Sequence, residues 1–268
     1  MIQDIDFSKY KRFFAFGCSF TGYCWPTWAD ILAKEMPNAE FYNCGKSGAG
    51  NLFISSRALE ANLKFNFNKD DLVVVMWSTF CREDRYYNNY WHTPGNIFTQ
   101  QEYDEKWVKK FADPKGYLIR DLSLITLATS YLKSLPCTVV TLASTPYWYQ
   151  QHEDFDYSKK DETDIKDILD SFKETINQTP QCLFDLEMKG TWDNGHVYIW
   201  NKNEVGDYHP NPWRYRCYLE KLGFNLTEKS EKYAKEATSM LHRTKTRDEI
   251  LSLFNTNEHG DGHFSKWW

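Results

Sequence analysis

The stretch that most constrains this chain is Leu72–Trp77, LVVVMW, six apolar residues in a row just after Asp70 and Asp71. A strand with one wet face alternates apolar and polar residues. An unbroken apolar run of this length fits a strand covered on both faces, the pattern of a parallel sheet between helical layers. Neighbouring segments agree. Arg12–Phe16 is a short apolar run closed by Gly17, Glu40–Cys44 is a second strand candidate closed by Gly45, and Cys137–Leu142 is another buried strand. Cys182–Leu186 reads as the last strand. Helical patterns lie between them: PTWADILAKEM from Pro26, with Trp28, Ile31, Leu32 and Met36 on one face, then Leu52–Leu63, Leu118–Leu135 and Asp161–Thr179. Strands alternating with helices form βαβ units with right-handed crossovers, so the expected fold class is α/β with a parallel sheet.

A chain of 268 residues suits one core with appendages better than two full domains. Residues 82–117 are irregular, aromatic and polar, and read as an insertion over the edge or the mouth of the sheet. From about Asn225 the chain turns charged. Asn225 and Glu228 have capping-box spacing, and Glu228–Lys232 and Glu231–Lys235 are i,i+4 pairs. The expected organisation is therefore an α/β domain over 1–224, carrying the 82–117 insertion, and a charged helical extension over 225–268 packed against it.

Several classes are disfavoured. The apolar runs are too short for a transmembrane helix, which needs about 20 such residues. The amino terminus carries acids before any apolar run and does not resemble a secretory signal. A net charge of −5 argues against tight non-specific nucleic-acid binding. Seven cysteines, spread from Cys18 to Cys217 without a CxxC, suggest reduced thiols and a cytoplasmic setting rather than a disulfide scaffold or a zinc ribbon. No membrane or nucleic-acid partner is expected. Aromatic residues make up 17% of the chain, more than a core this size needs, so some of them should line a groove, where flat rings stack on sugars or bases or bury acyl chains.

Ligands of parallel sheets bind beyond the carboxyl ends of the strands, so the loops after Phe16, Cys44, Trp77 and Leu142 share one mouth. The first, FAFGCSFTGYCWP, offers Ser19 two residues after Gly17. There a hydroxyl is well placed as a nucleophile, with the following helix directing free N–H groups toward any anion formed; the same residues would also serve simply as a turn and a cap. The second, NCGKSGAGN, holds three glycines in six residues and is neither a P-loop nor a dinucleotide fingerprint; the Gly48 N–H is available to an oxyanion. Downstream, GDYHPNPWRYR places Asp207 two residues before His209. A carboxylate there would fix the imidazole tautomer, as nucleophilic serine chemistry requires, although a surface loop would look similar.

Taken in order, Gly-x-Ser, Asn-x-Gly-x-Ser-Gly and Asp-x-His-Pro before a final helix resemble the SGNH (GDSL-like) hydrolase family over roughly residues 10–224. The resemblance implies a flavodoxin-like three-layer α/β/α sandwich, here with a C-terminal helical tail. It implies Ser19 as nucleophile, His209 as general base, Asp207 as its acidic partner, and the N–H groups of Ser19 and Gly48 as an oxyanion hole. No cofactor or metal is required. Three departures stand out. Cys18 replaces the usual Asp of the first block. The third block reads MWSTFCRED without its Asn, leaving Ser78, Thr79 or Arg82 as the third-loop oxyanion donor; Arg82 is equally open to a surface ion pair with Glu83 or Asp84. The spacing Asp-x-His replaces Asp-x-x-His, so either the turn is tighter or another acid such as Glu204 orients the ring.

The expected function is hydrolysis of a small acyl ester, an O-acetyl group on a carbohydrate or another small molecule, through an acyl-serine. The alternatives are a weak or inactive module of the same fold that binds carbohydrate or a protein partner, and an acyltransferase using the same residues. Three competing features remain: Cys18 as nucleophile, HGDGH (His259, Asp261, His263) as a metal site, and DRYYNNYWHTPGN as either an aromatic sugar platform or a plain surface cover.

Overall fold

The computed structural model describes residues 5–98, 102–146, 163–188, 198–199, 206–207, 209–244 and 246–254. The elements are β1 (Arg12–Gly17), α1 (Trp28–Ala33), β2 (Glu40–Gly45), α2 (Asn51–Phe65), β3 (Asp71–Trp77), β4 (Arg85–Tyr87), β5 (Tyr90–His92), α3 (Glu105–Phe111), α4 (Pro114–Lys133), β6 (Thr138–Ala143), α5 (Thr163–Ser171), α6 (Lys173–Asn177), β7 (Tyr198–Ile199), β8 (Gly206–Asp207), α7 (Pro212–Lys221), α8 (Glu228–Leu241) and α9 (Arg247–Phe254).

Among the described residues the central sheet has four parallel strands in the order β2-β1-β3-β6, the strand order of flavodoxin-like folds. Alternation along the inner strands explains why both faces need cover. Phe14 and Phe16 of β1 and Val73, Val75 and Trp77 of β3 point to the side of α2 and α4. Phe13 and Ala15, with Leu72, Val74 and Met76, point to the side of α1, α7 and α8. Every residue of β3 is buried, as its unbroken apolar run demands, and the result is a three-layer α/β/α sandwich. At the amino ends Arg12 grips Asp71 with two hydrogen bonds of 2.7 and 2.6 Å, tying β1 to β3.

The segment expected as a last strand behaves otherwise. Cys182, Leu183, Glu187 and Met188 are buried, a helical spacing rather than the alternation of a strand. Leu186 N–H bonds to Cys182 C=O at 3.2 Å, and Phe184–Met188 forms a π-helical turn. Glu187 is buried there because Lys221 meets it at 2.6 Å. The helical pattern over 161–179 divides into α5 and α6 around Phe172.

In the carboxyl-terminal extension the cap of α8 is Thr227, not Asn225. The Glu231–Lys235 pair forms at 2.5 Å, whereas Lys232 turns to Glu236. Helix α9 packs Ile250, Leu251 and Phe254 with Cys24 and Trp25 of the first mouth loop, so the extension reaches the mouth. All seven cysteines are free thiols, and among the described residues no helix is long and apolar enough to cross a membrane.

Asn51, at the start of α2, links three elements: α2 itself, the loop after β3 and helix α4. Its Oδ1 accepts the Ser78 N–H at 2.9 Å, and its Nδ2 donates to Ser78 C=O at 3.0 Å and to Asp121 of α4 at 3.1 Å. All of these groups are buried, so removing the amide strands several of them at about 1–3 kcal/mol each. Asn51→Ala is expected to lower unfolding stability by roughly 3 kcal/mol, read as a shift in urea midpoint at unchanged slope.

Candidate functional site

Beyond the carboxyl ends of the strands lies a cleft of about 630 Å³. Its wall gathers Ser19 from the first loop, Lys46, Ser47 and Gly48 from the second, Arg82 from the third, His209 from the segment before α7, and Arg247 from α9. The far wall is Tyr90–Asn96, the end of the β4–β5 hairpin and the chain after it. Of residues 82–117, Arg82 and Tyr90–Asn96 border this cleft.

Ser19 sits in a turn closed by Thr21 and Gly22, whose N–H groups bond to Cys18 C=O at 2.9 and 3.1 Å. The helix expected to point at Ser19 starts later. A capping box between Thr27 and Asp30 fixes its first residue at Trp28, so the N–H groups near Ser19 belong to the turn rather than to a helix end. Ser19 is 7% exposed and Cys18 0%; Cys18 does not line the cleft.

His209 is held by contacts on several sides. Its Nδ1 lies 2.7 Å from Asp207 Oδ1, and its backbone N–H donates to the same oxygen at 2.9 Å. The other oxygen, Asp207 Oδ2, accepts a hydrogen bond from the Tyr23 hydroxyl. The Tyr23 ring also stacks on the imidazole, with centroids 3.8 Å apart and planes 16° apart, and Phe20 and Trp25 complete an aromatic box around it. Trp25 is fixed in turn by donating to Pro210 C=O at 2.9 Å. The one-residue-shorter Asp-x-His spacing thus closes a tight turn that still delivers the carboxylate to the ring. Glu204, the other acid considered, lies outside the described residues, as do His259, Asp261 and His263.

Burial opposes charge on Asp207. The His209 hydrogen bond and charge, the Tyr23 hydroxyl and the His209 N–H outweigh it and hold the carboxyl below its ordinary value of 3.8. The stability it contributes is therefore present above that ordinary value and is lost as pH falls through the depressed one. Asp84 and Asp121, behind the cleft, show the reverse balance. Burial dominates for both and pushes them up to about 6, despite the backbone N–H groups of Phe53 and Gly50 on Asp84 and Arg120 beside Asp121.

Gly48 has φ +73°, and a Cβ there would lie 2.0 Å from Thr93 C=O; only glycine fits this left-handed, closely packed position. Thr93 Oγ1 donates to Ser47 C=O at 2.8 Å, locking the second loop to the far wall.

The third loop divides its candidates. Ser78 and Thr79 are buried and do not line the cleft, because Asn51 grips both backbone groups of Ser78. Only Arg82 reaches the wall, where its Nη1 donates to Ala49 C=O at 2.8 Å. It does not form the alternative surface pair: Glu83 meets Arg85 and Arg120, and Asp84 accepts the N–H groups of Gly50 and Phe53 at 2.8 Å.

Ser19 and His209 share the cleft wall, and no hydrogen bond joins them. Nucleophile–base bonds of this type commonly tighten only when substrate binds. The described residues contain no cluster suited to hold a metal ion. Sequence reasoning missed Tyr23 and Arg247. Tyr23 lay in plain view four residues after Ser19, but its stacking partner is 186 positions away. Arg247 reaches the cleft only through the packing of α9.

No protein-family model matches the chain, and no curated protein does. Two solved structures are similar to it. One is a member of the lipolytic protein G-D-S-L family from Veillonella parvula DSM 2008, 16% identical, covering 78% of this chain and 94% of that chain with a TM-score of 0.41. The other is described as a GDSL-like lipase, from Parabacteroides merdae ATCC 43184, 13% identical, covering 88% of this chain and 99% of that chain with a TM-score of 0.40. At such identities and TM-scores neither likeness bears on activity, and the functional reading rests on the cleft.

Tyr23→Phe keeps the stack on His209 and removes the hydroxyl bond to Asp207. We expect the Asp207 carboxyl to rise toward its ordinary value. On a substrate that the protein turns over, kcat should fall about 10-fold with little change in KM, the scale of one lost hydrogen bond to a charged group. Unchanged kcat would leave the hydroxyl without a role in positioning His209.

Proposed function

We propose that the chain is an SGNH-type serine hydrolase that removes a small acyl group, an O-acetyl ester on a carbohydrate, through an acyl-serine intermediate. The observation that carries this reading is the His209–Asp207 pair on the wall of the same cleft as Ser19. With Nδ1 engaged by Asp207, the ring has Nε2 for a proton from the cleft.

The chemistry follows from that tautomer. Ser19 Oγ attacks the acyl carbonyl while His209 Nε2 takes its proton. The carbonyl oxygen becomes an oxyanion that accepts hydrogen bonds from the Ser19 and Gly48 N–H groups, donors whose positions are fixed before reaction. Asp207 stays ionised and stabilises the imidazolium. The intermediate collapses, the carbon–oxygen bond to the alcohol breaks, and His209 returns its proton to the departing oxygen. Water then attacks the acyl-serine while His209 takes its proton, the bond from the acyl carbon to Ser19 Oγ breaks, His209 returns the proton to Ser19, and the carboxylic acid leaves. No step calls on a metal or cofactor.

The carbohydrate part of the reading rests on the hairpin. Tyr90, Trp91 and His92 line the cleft, and Trp91 is braced edge-on by Phe53 and by Tyr86, each at 5.6 Å. Flat rings beside polar loop groups suit a sugar, whereas a long lipid would want a continuous apolar groove.

The test is turnover of p-nitrophenyl acetate. Ser19→Ala and His209→Ala should each lower kcat by about 10³-fold or more, as for other serine–histidine pairs, while remaining folded. Cys18→Ala should retain most activity, and Ser78→Ala and Thr79→Ala should keep kcat, since neither side chain reaches the cleft. Full activity in Ser19→Ala would reject the reading.

A further inference from the structure

We propose that a second cavity binds one sugar unit of an uncharged glycan. It is walled by α3, the start of α4 and the chain from Glu83 to Arg85, encloses about 480 Å³, and shares no wall residue with the cleft. That volume lies within the range of small-molecule sites. The proposal goes beyond the hydrolase reading and does not depend on it: a sugar held here is held whether or not Ser19 is a nucleophile.

Part of the wall is aromatic. Tyr103, Trp107 and Phe111, spaced four residues apart, form a ladder of rings with centroids 5.2 and 5.4 Å apart. Trp107 and Phe111 line the cavity. Phe111 ends the ladder and is 58% exposed, even with the Lys110 ammonium 5.0 Å from its ring centre. A ring left this wet at the rim of a cavity is a platform for the C–H face of a ligand. The rest of the wall is polar, and its charges balance. Among the described residues that line it, two cations, Arg85 and Arg120, stand with two carboxylates, Glu83 and Asp113. Glu83 is buried and both its oxygens are engaged, Oε1 by Arg85 at 2.5 Å and Oε2 by the Tyr117 hydroxyl at 2.6 Å and Arg120 at 3.1 Å. Asp113 caps α4, accepting the N–H groups of Lys115 at 2.8 Å and Gly116 at 3.4 Å. Such a wall selects by exclusion. A cation finds Glu83 already claimed by two guanidinium groups, and an anion finds each arginine paired with an acid. A wholly apolar ligand would strip water from these groups and return no hydrogen bonds. A ring with C–H groups on one face and hydroxyls around its edge suits both parts of the wall, and that ring is a pyranose.

Gly116 keeps the cavity open. It lies in the first turn of α4, where almost any other residue would favour the helix more. Sterics do not demand it: an added Cβ would meet nothing nearer than Asp113 Cβ, at 3.7 Å. The volume that a side chain would fill belongs to the cavity. The cavity and the cleft also flank one ribbon. Arg85 of the cavity stands opposite His92 of the cleft in the β4–β5 register, and Glu83 follows Arg82 of the cleft directly in the chain. A chain of several sugar units, rather than a single one, has the reach to occupy both.

The test is calorimetric titration of the intact protein with cellopentaose, xylopentaose and maltopentaose, uncharged glycans that carry no ester, so binding is read apart from turnover. At least one should bind. Gly116→Leu fills the cavity and should weaken that binding about 10-fold or more, with a urea midpoint no lower than that of the wild type. Phe111→Ala truncates an exposed ring and should weaken it about 5-fold or more. Gly116→Leu decides the matter while its midpoint holds; if the midpoint falls, Phe111→Ala decides it. Undiminished affinity in the deciding variant overturns the proposal, and so does the failure of all three glycans to bind. Trp91→Ala identifies the site in the first case: a glycan that loses affinity there and in neither cavity variant sits in the cleft alone. Glycan binding and turnover of p-nitrophenyl acetate are separate readouts, so the sugar site and the hydrolase reading can each fail with the other intact.

Discussion

Strand β1 is hydrogen-bonded on both sides to parallel neighbours, with Gly17 in register with Gly45 and Phe16 with Val75. That pairing brings the ends of β1, β2 and β3 together, and every loop of the cleft depends on it. Glycine is required where the loops cross. A Cβ on Gly17 would lie 2.0 Å from Thr21 Oγ1, and one on Gly45 would lie 2.3 Å from the Gly22 nitrogen, so the first and second loops interlock directly over the sheet. Asn51 then fastens the third loop to the start of α2. The cleft floor is thus defined by backbone packing, and the side chains that face the cleft are set on a rigid base.

On that base the His209 side is assembled from a distance. Asp207 and His209 precede α7, yet their partners Phe20, Tyr23 and Trp25 all belong to the loop that carries Ser19. The aromatic box leaves the Asp207 side chain only 8% exposed, and a lower local dielectric strengthens such a hydrogen bond. Helix α9 closes the back of this box against Cys24 and Trp25 while presenting Arg247 to the cleft. The extension beyond residue 225 is for that reason part of the cleft and not merely a charged surface helix.

How much of this could be read from the chain follows from the range of each interaction. β1, β2, β3 and β6 lie within a residue of their expected ends because local apolar runs and closing glycines specify them. The Asp207–His209 contact was legible because two residues suffice to make it. Cys182–Leu186 was misread because five residues with four apolar positions fit either period; the deciding contact, Glu187 with Lys221, lies 34 positions on. The helix after Ser19 was placed too early because Pro26 marks the approach to a helix, whereas Thr27 and Asp30 set its first turn. Ser78 and Thr79 looked exposed at a strand end, and only the grip of Asn51 shows them turned inward.

The claim on which the functional account turns is that Ser19 is an activated nucleophile. Labelling with a fluorophosphonate reads this directly, since the reagent forms a stable phosphonyl ester only with a serine whose proton a neighbouring base removes. The account predicts one adduct per chain, mapped to Ser19 by peptide mass, absent in Ser19→Ala and strongly slowed in His209→Ala. An unlabelled wild-type protein, or an adduct on another residue at undiminished rate in Ser19→Ala, would contradict it.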